Sequence, residues 1–333
     1  MKQNRLFQFG LLLLVLFGAS FLRFYDLGYR PMHGDEANQA MKTGELLEDG
    51  TYAYDPFEHH GPTLYYLSLP LLWLNGATTV QEMTAPMIRV LPALFGVGLV
   101  FLSWCIVAPI SRNAALWAAL LTAVSHGLTY YSRYYVQEIS FVFFAAALIA
   151  CGYHYFRTRH LGWALGMGLS LGLLHATKET SVLVVIAMGA ALVGSLLWAR
   201  VVDRNAVSLH LNWKHGAAAL GMALAVSVLF FSSFFTHWRG PLDSILTYGT
   251  YLGRAEGQGS TALHDQPWYY YLSLLAWTYR EAGPKWSEGL ILGLALVGAL
   301  WCFIRPLPNT DKTESVSGNG IFQRFLILYT LFL

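Results

Sequence analysis

Residues 30–66 read RPMHGDEANQAMKTGELLEDGTYAYDPFEHHGPTLYY and form the longest polar interval in the first half of the chain. An acidic pair, Asp35-Glu36, follows directly after His33-Gly34. A second polar group precedes Gly61-Pro62 and consists of Asp55, Glu58, His59 and His60. Beyond Asn113 nearly every segment is an apolar run broken by short charged turns. We therefore interpret those runs as a scaffold that holds this interval at a membrane surface.

The composition is that of a membrane protein. Of the 333 residues, 55% are hydrophobic and only 12% are charged, whereas a soluble domain carries roughly 25% charged residues. This predicts a polytopic all-α membrane protein. A net charge of +2 without a basic tail or an arginine-rich helix argues against nucleic-acid binding. The cysteines Cys105, Cys151 and Cys302 lie in apolar runs without metal-ligand spacing, which is typical of packed core residues.

The apolar runs predict a bundle of about nine transmembrane helices in one domain, residues 1–333. The first run follows Lys2 and Arg5, is longer than the apolar part of a signal peptide and lacks a small-residue cleavage site, so we interpret it as a retained span. The last run is too short to cross a bilayer, so we expect C-terminal helices, and any C-terminal domain, to be missing. The predicted spans are residues 6–22, 87–108, 113–131, 138–156, 162–177, 180–199, 214–236, 288–304 and 321–333.

Basic residues in the short loops orient this bundle with its N-terminus in the cytoplasm. All acidic residues except Asp203, Asp311 and Glu314 then fall on the outer side. Two long segments, residues 23–86 and 237–287, lie outside the membrane. The polar chemistry is therefore predicted on the extracytoplasmic face of the cell membrane.

Both outer segments are predicted to carry interfacial helices. Residues 36–49 predict a surface helix, and residues 63–75 are too short for a span and contain Pro70. In the second segment, Gly257-Gln258-Gly259-Ser260 predicts a flexible stretch that leads into an aromatic helix ending near Tyr279. Such a segment over an outer site would serve as a lid.

The acidic pair Asp35-Glu36 allows two interpretations. In the structural one, Asp35 caps the helix that begins near Glu36, whose charge favours the positive end of that helix. In the functional one, Asp35 acts as a general base, or binds a divalent metal ion together with Glu36. Both can hold, because a capped carboxylate is also an oriented one.

Charged residues at the outer ends of the spans form a second candidate group. Glu138 opens the fourth span, where it is either solvated at the interface or functional, as ionisable groups deeper in a membrane usually are. Lys178 and Glu179 are adjacent, so one would point into the bundle while the other meets water. Arg89 and Lys178 would either reach lipid headgroups or bind the phosphate of an anionic lipid carrier.

The histidines of the polar interval raise a metal site as an alternative. Glu58, His59 and His60 together with His33 supply enough ligands, although their spacing matches no standard zinc pattern. Isolated histidines further along the chain are interpreted as hydrogen-bonded helix residues. These are His126, His154 and His175.

The order of these motifs resembles the membrane glycosyltransferases of the GT-C fold, in particular the protein mannosyltransferase and aminoarabinose transferase superfamily. The resemblance begins with His-Gly-Asp-Glu-Ala at 33–37 and His-Gly-Pro-Thr-Leu-Tyr-Tyr at 60–66, which look most like the Agl23-type, flippase-activity-associated branch. It continues over most of the chain with Ser-Arg-Tyr-Tyr-Val-Gln-Glu at 132–138, Thr-Lys-Glu-Thr at 177–180 and Pro-Trp-Tyr-Tyr-Tyr at 267–271.

This resemblance implies transfer of a sugar from a polyprenyl-phosphate carrier to an acceptor protein, lipid or envelope glycan on the outer face. It assigns catalysis to Asp35, Glu36 and Glu138, with Asp35 as the base. Some relatives carry a lysine before the proline-rich turn where this chain has His59-His60, so this segment departs from the family pattern. The predicted substrate-binding side chains are His59, His60, Tyr65, Arg89, Arg133 and Lys178.

The chemistry can also be argued from the leaving group. A polyprenyl phosphate departs as a monoester anion and needs little protonation, so one base and a few cations suffice, whereas glycoside hydrolysis uses two carboxylates. Displacement in one step would invert the anomeric centre. The alternatives are a lipid-linked glycan flippase or transporter, and a non-catalytic assembly partner. Polar residues gathered at one face, without an internal repeat, favour the enzyme over the transporter.

Overall fold

The computed structural model describes residues 2–57, 60–203, 212–255, 269–279, 285–304 and 314–333, together with residues 267 and 283. This part of the chain forms fourteen α-helices and one 3₁₀ turn, and it contains no β-strand. The helices are α1 (Lys2–Phe24), α2 (Gly34–Asp49), α3 (Thr63–Leu74), α4 (Ala85–Val107), α5 (Arg112–Val124), α6 (His126–Tyr131), α7 (Glu138–Thr158), α8 (Leu161–His175), α9 (Ser181–Val201), α10 (Trp213–Phe231), α11 (Gly240–Ala255), α12 (Tyr270–Ala276), α13 (Gly289–Ile304) and α14 (Glu314–Phe332).

The helices pack in a chain of neighbours. α10 lies against α8, α8 against α7, α7 against α4, and α4 against both α5 and α1, while α9 pairs with α14. Glycines permit the closest of these contacts: a Cβ atom on Gly168 of α8 would lie 2.2 Å from the carbonyl oxygen of Ala219 on α10. Small residues at helix crossings are the usual means of close packing inside a membrane.

Five helices are long and apolar enough to cross a membrane by length and composition: residues 5–24 of α1, and α4, α7, α9 and α10. α3, α8 and α13 are shorter apolar helices. The predicted all-helical membrane fold is confirmed. The predicted span 113–131 is broken at Ser125 into α5 and α6, because the Ser125 side chain accepts a hydrogen bond from the backbone of Leu128 and caps α6.

The second long loop contains a helix that the sequence analysis missed. α11 follows a turn in which Ser233, Phe234 and Phe235 have positive φ angles of 53°, 54° and 71°. Over residues 242–247 the polar side chains face the protein and the apolar ones are exposed, which suits a helix at the membrane interface. The buried ones are Asp243, Ser244 and Thr247, and the exposed ones are Leu242, Ile245 and Leu246.

The other predictions for this loop have mixed outcomes. The predicted flexible stretch 257–260 lies outside the described residues. The predicted aromatic helix is α12, which ends at Ala276 rather than near Tyr279. Where α13 begins, the Glu288 carboxylate accepts hydrogen bonds from the Ser125 hydroxyl at 2.8 Å and the backbone N–H of Gly127 at 3.0 Å. This loop is therefore fastened to the break between α5 and α6.

The first long loop, residues 25–84, carries α2 and α3, the two predicted surface helices. It packs on the end of the bundle at which α1 ends, α4 and α7 begin, and α8 meets α9; we call this end the loop face. An aromatic cluster fixes the loop there, and Tyr54 meets Phe231 of α10 edge-on with ring centroids 4.8 Å apart. Burial of these rings supplies much of the packing energy of the loop.

Two arginines tie helix ends together at the loop face. Arg23 of α1 is fully buried and donates to the carbonyl oxygen of Ala123 at the end of α5, at 3.0 Å. Arg133, between α6 and α7, donates to the carbonyl oxygens of Tyr25 at 2.6 Å and Asp26 at 3.0 Å, just past α1. Carbonyl groups at a helix C-terminus lack helical partners and carry partial negative charge, so a guanidinium satisfies both needs.

Candidate active site

α2 begins at the acidic pair and presents Asp35 to solvent. His33 caps the helix: its Nδ1 atom accepts from the backbone N–H of Asp35 at 3.3 Å, and Glu36 accepts from the backbone N–H of His33 at 3.1 Å. The prediction that Asp35 is the cap is therefore wrong, because this capping box already uses the side chains on either side of it. The Asp35 carboxylate is 70% exposed and lies 3.4 Å from His33 Nδ1 and 3.4 Å from the Tyr134 hydroxyl.

Glu36 is completely buried and ionised. Its Oε1 atom accepts from Arg89 Nε at 2.8 Å and from the backbone N–H of Tyr135 at 2.9 Å. Its Oε2 atom accepts from Arg89 Nη2 at 2.8 Å, from the backbone of His33 and from Arg30 at 3.4 Å. Burial by itself raises the pKa of Glu36, but these hydrogen bonds and the charge of Arg89 outweigh it and hold the pKa below its ordinary value. Both oxygens of this carboxylate are occupied by protein donors, so Glu36 supports the structure and cannot bind a reactant.

Arg89 lies near the start of α4 and uses all five of its N–H groups inside the protein. Nε and Nη2 hold Glu36, Nη1 donates to the carbonyl oxygens of Leu27 at 2.7 Å and Arg30 at 2.8 Å, and Nη2 also donates to that of Pro31 at 3.3 Å. Because a guanidinium has five donors, Arg89 has none left for a phosphate. The geometry gives no support to its predicted role in substrate binding.

Tyr65 is also an interior residue. Its hydroxyl donates to Gln39 Oε1 at 2.5 Å, and the same oxygen accepts from Gln137 Nε2 at 2.9 Å. These bonds join α3, α2 and the segment before α7. With no exposed surface, Tyr65 lies behind the site rather than in it.

Glu138 and Lys178 form a partly exposed pair. Lys178 Nζ lies 3.0 Å from Glu138 Oε1, and their side chains are 22% and 38% exposed, respectively. The Oε2 atom of Glu138 is buried and has no hydrogen-bond partner among the described residues. The expectation that Lys178 and Glu179 point in different directions agrees with the structure: Glu179 is buried and Lys178 faces the Glu138 side.

Glu179, on the same turn as Lys178, forms a second pair with His60 of the first long loop. His60 Nδ1 lies 2.9 Å from Glu179 Oε2, and the Tyr54 hydroxyl donates to Glu179 Oε1 at 3.2 Å. Burial raises the pKa of Glu179, but its hydrogen bond and charge interaction with His60 outweigh this and lower the pKa overall. Glu58 and His59, two of the predicted site residues, lie outside the described residues.

The turn after α8 is in close backbone contact with the start of α3. The carbonyl oxygen of Ala176 accepts from both the backbone N–H of Thr63, at 3.1 Å, and its hydroxyl, at 2.6 Å. A Cβ atom on Gly61 would lie 2.2 Å from that same oxygen. The motif His-Gly-Pro-Thr therefore has a physical explanation: the glycine permits the contact, the threonine fastens it, and His60 reaches Glu179.

The candidate metal ligands do not assemble in the described part of the chain. No group of three or more His, Cys, Asp or Glu side chains there could hold a metal ion. Both Glu36 oxygens are occupied by protein donors, so the pair Asp35-Glu36 offers one exposed carboxylate rather than two ligands. This pair does not fit a divalent ion.

Some residues of the site could not be found from the sequence. Tyr134, whose hydroxyl meets Asp35, was part of a quoted motif without an assigned role, and His33, which caps α2, was considered only as a metal ligand. The motif at 132–138 was the available signal, because it places Tyr134 four residues before Glu138. Which of its side chains faces the acidic pair depends on the irregular backbone between α6 and α7.

The bundle and its loop-borne acidic site define the class as a GT-C membrane glycosyltransferase fold. The chain belongs to the dolichyl-phosphate-mannose-protein mannosyltransferase family, whose model matches residues 16–238. The matched region runs from α1 through α10 and contains every candidate residue. The predicted superfamily is therefore confirmed, while the Agl23-type branch stays a prediction. A search of curated proteins gives no match.

Three solved structures share the fold. The oligosaccharyltransferase AglB from Archaeoglobus fulgidus has a TM-score of 0.61 and 12% identity, over 98% of this chain and 47% of that one. The S. cerevisiae O-mannosyltransferase complex Pmt1-Pmt2 has a TM-score of 0.55 and 19% identity, over 70% and 34%. ArnT from Cupriavidus metallidurans has a TM-score of 0.51 and 13% identity, over 97% and 59%. The chain thus spans less than two thirds of each of these proteins.

Proposed function

We propose that this membrane protein transfers a sugar from a polyprenyl-phosphate carrier to an acceptor at the loop face, with Asp35 as the general base. The observation that carries the proposal is the contrast within the acidic pair: Glu36 is buried and saturated, whereas Asp35 is oriented and open to solvent. A base must reach the proton that it removes. Asp35 is the member of the pair that can do so.

The lipid-linked donor is supported by the structural relatives. AglB was solved with an inhibitory peptide and a dolichol-phosphate, and Pmt1-Pmt2 with its sugar donor. An acceptor hydroxyl or amide would lose its proton to Asp35 as its oxygen or nitrogen attacks the anomeric carbon. The bond from that carbon to the phosphate oxygen breaks, and the carrier leaves as a phosphate anion. One displacement would invert the anomeric centre.

The leaving phosphate needs a cation that can change partners. Lys178 and His60 each have one carboxylate partner and remain partly exposed, so we assign phosphate binding to them. Glu138 would keep Lys178 in place and receive it back after product release. Arg89 and Tyr65 are assigned to support because their polar groups are engaged within the protein. Arg133 is assigned to support because its Nη atoms donate to carbonyl oxygens at and just after the end of α1.

The loop face is proposed to be extracytoplasmic. The basic residues of the opposite end and the acidic residues of the loop face have the distribution expected for that orientation. The donor and acceptor would then meet outside the cytoplasm. Reaction of an impermeant cysteine reagent with an Asp49→Cys variant in intact cells would test this; labelling only after the cells are opened would contradict it.

The test is transfer of label from a panel of labelled polyprenyl-phosphate sugars to cell-envelope extract by the purified full chain. We expect Asp35→Asn to lower the rate by about 10²–10⁴-fold. The matched control is Asp49→Asn, an exposed aspartate at the other end of α2, which should keep the wild-type rate. A lane with chelator tests whether a metal participates.

Each outcome separates the candidate functions. Loss in Asp35→Asn alone, with inverted product, supports the proposal, and product of retained configuration would rule out the single displacement. Equal rates in wild type and Asp35→Asn would contradict the base assignment. Bound carrier lipid without any transfer in wild type would favour a flippase or an assembly partner.

A further inference from the structure

Three tyrosines lie together next to the acidic pair, at the end of α6 and just after it. The ring centroids of Tyr130 and Tyr134 are 5.6 Å apart, and that of Tyr131 lies 5.4 Å from the first and 6.3 Å from the second. The Tyr134 hydroxyl lies 3.4 Å from the Asp35 carboxylate. The three rings therefore form an aromatic surface beside the proposed base.

Two of these rings already have a partner within the protein. The guanidinium carbon of Arg30 lies 5.0 Å from the centroid of Tyr130 and 4.8 Å from that of Tyr134, as in a cation–π contact. Tyr131 is 42% exposed, and its hydroxyl has no hydrogen-bond partner among the described residues. The two neighbouring rings meet it at 88° and 73°, so neither stacks flat against it. Tyr131 is thus the ring of this surface that is open to a ligand.

Tyr131 also lies between the proposed base and the proposed phosphate-binding lysine. On one side it contacts Tyr134, which reaches Asp35. On the other side it interacts electrostatically with the carboxylate of Glu138, whose Oε1 atom lies 3.0 Å from Lys178 Nζ. In a single displacement the acceptor and the leaving phosphate occupy opposite sides of the anomeric carbon. The sugar must then lie between Asp35 and Lys178, where Tyr131 is found.

We propose that Tyr131 forms the sugar subsite and packs its exposed ring against the C–H face of the donor's hexosyl or pentosyl group. This inference rests on the proposed function for the positions of the base and the phosphate. The C–H groups on one face of a sugar ring carry partial positive charge, which matches the negative face of an aromatic ring. The contact holds the sugar in place and leaves its hydroxyl groups free for other partners.

An exposed tyrosine at a membrane surface has a second common role, that of an interface anchor. The two roles differ in the ligand that feels them. An anchor affects the protein, or every lipid ligand, in the same way, whereas a sugar subsite affects a carrier lipid only when it bears a sugar. Binding of the carrier with and without its sugar therefore separates them.

The experiment measures the Kd of the purified full chain for dolichyl phosphate and for a panel of hexosyl and pentosyl dolichyl phosphates. In wild type, we expect at least one sugar donor to bind more tightly than dolichyl phosphate. Tyr131→Ala should raise the Kd of that donor about tenfold and leave the Kd of dolichyl phosphate unchanged. Tyr131→Phe keeps the ring and should bind both as wild type does. The matched control is Tyr29→Ala, which removes a tyrosine of the first long loop that is 85% exposed and should change neither Kd.

Two results would overturn the inference. An equal rise of both Kd values in Tyr131→Ala would indicate an anchoring or structural role. A wild type that binds no sugar donor more tightly than dolichyl phosphate would leave no sugar subsite to explain. If Tyr131→Ala does not fold, Tyr131→Leu keeps most of the volume without the aromatic face, and it must weaken binding of the sugar donor alone.

The inference and the proposed function can fail separately. If Tyr131→Ala selectively weakens the sugar donor but wild type transfers no sugar, the subsite stands and the transferase does not. If Asp35→Asn transfers as wild type does while that selective weakening is observed, only the base assignment is lost. If Asp35→Asn abolishes transfer while Tyr131→Ala binds the donor as wild type does, only the sugar subsite is lost.

Discussion

The two sides of the loop face use their cations in opposite ways. On the side of α1 and α4, three arginines donate hydrogen bonds to backbone carbonyls and to Glu36. They are Arg23, Arg89 and Arg133. On the side of the turn between α8 and α9, Lys178 and His60 each hold one carboxylate and stay partly exposed. An arginine fork suits a closed network of several fixed acceptors, whereas lysine is a compact charge on a flexible stem.

The carboxylates follow the same division. Glu36 accepts hydrogen bonds at both oxygens and is buried from solvent. Asp35, its neighbour in sequence, is exposed on the helix that Glu36 anchors. Adjacent residues on a helix cannot face the same way. The two members of the acidic pair therefore differ: Glu36 holds the start of α2 in place, and Asp35 is exposed to solvent, where we propose that it meets the acceptor.

The largest expected effect comes from removing Arg89 on the side of α1 and α4. Arg89→Met leaves Glu36 buried without its cation, so we expect a loss of about 3–5 kcal/mol in the free energy of unfolding. Thermal unfolding in detergent would measure it. The control Arg112→Met removes an exposed arginine and should change stability by less than about 0.5 kcal/mol. Equal stability of the two variants would contradict the closed network.

The next effect belongs to the turn side and concerns activity rather than stability. Lys178→Met should lower kcat/KM for the donor about 100-fold, because one donor to the developing phosphate charge is lost. Its melting temperature should stay close to that of wild type, since a partly exposed pair contributes about 1 kcal/mol or less. Lys42→Met, which removes a similarly exposed pair with Glu45, is the matched control. A large loss of stability without a change in kcat/KM would reverse the division proposed here.

A smaller effect is expected from disturbing the contact between the start of α3 and the turn between α8 and α9. Gly61→Ala places a methyl group against the Ala176 carbonyl, so the start of α3 must move away from the turn that carries Lys178 and Glu179. Overpacking of this kind costs about 1–3 kcal/mol, and we expect weaker donor binding as His60 shifts. Gly34→Ala has open space around the new methyl group and should behave as wild type. Donor titrations and thermal unfolding of both variants would test this.

Much of this fold could be predicted from the sequence because membrane-spanning helices can be recognised by their length and hydropathy. The surface helices α2 and α3 and the existence of a polar loop face followed from composition and proline placement. α11 was missed because polar residues are interspersed among its apolar ones, so the stretch lacks the hydropathy of a span.

The site was less predictable, because a residue type does not reveal its partners. Arg89 and Lys178 looked equivalent as cations at the outer ends of helices, yet one has five donors engaged and the other a single pair. That difference depends on which carbonyls the loop 25–84 brings beside α4, a tertiary fact. Asp35 was expected to cap a helix beginning near Glu36, but α2 begins at Gly34 and His33 is its cap, since a histidine ring nitrogen can accept from the helix backbone as a hydroxyl does.

The smallest expected effect is the acid dependence of the two buried carboxylates. The folded-state pKa of Glu36 and of Glu179 lies below the ordinary value of 4.5. Each therefore contributes stability that is fully present above that pH and is lost as the pH falls through the lower folded value. We expect the melting temperature in detergent to fall between about pH 5 and pH 3, and the slope to flatten in Glu36→Gln.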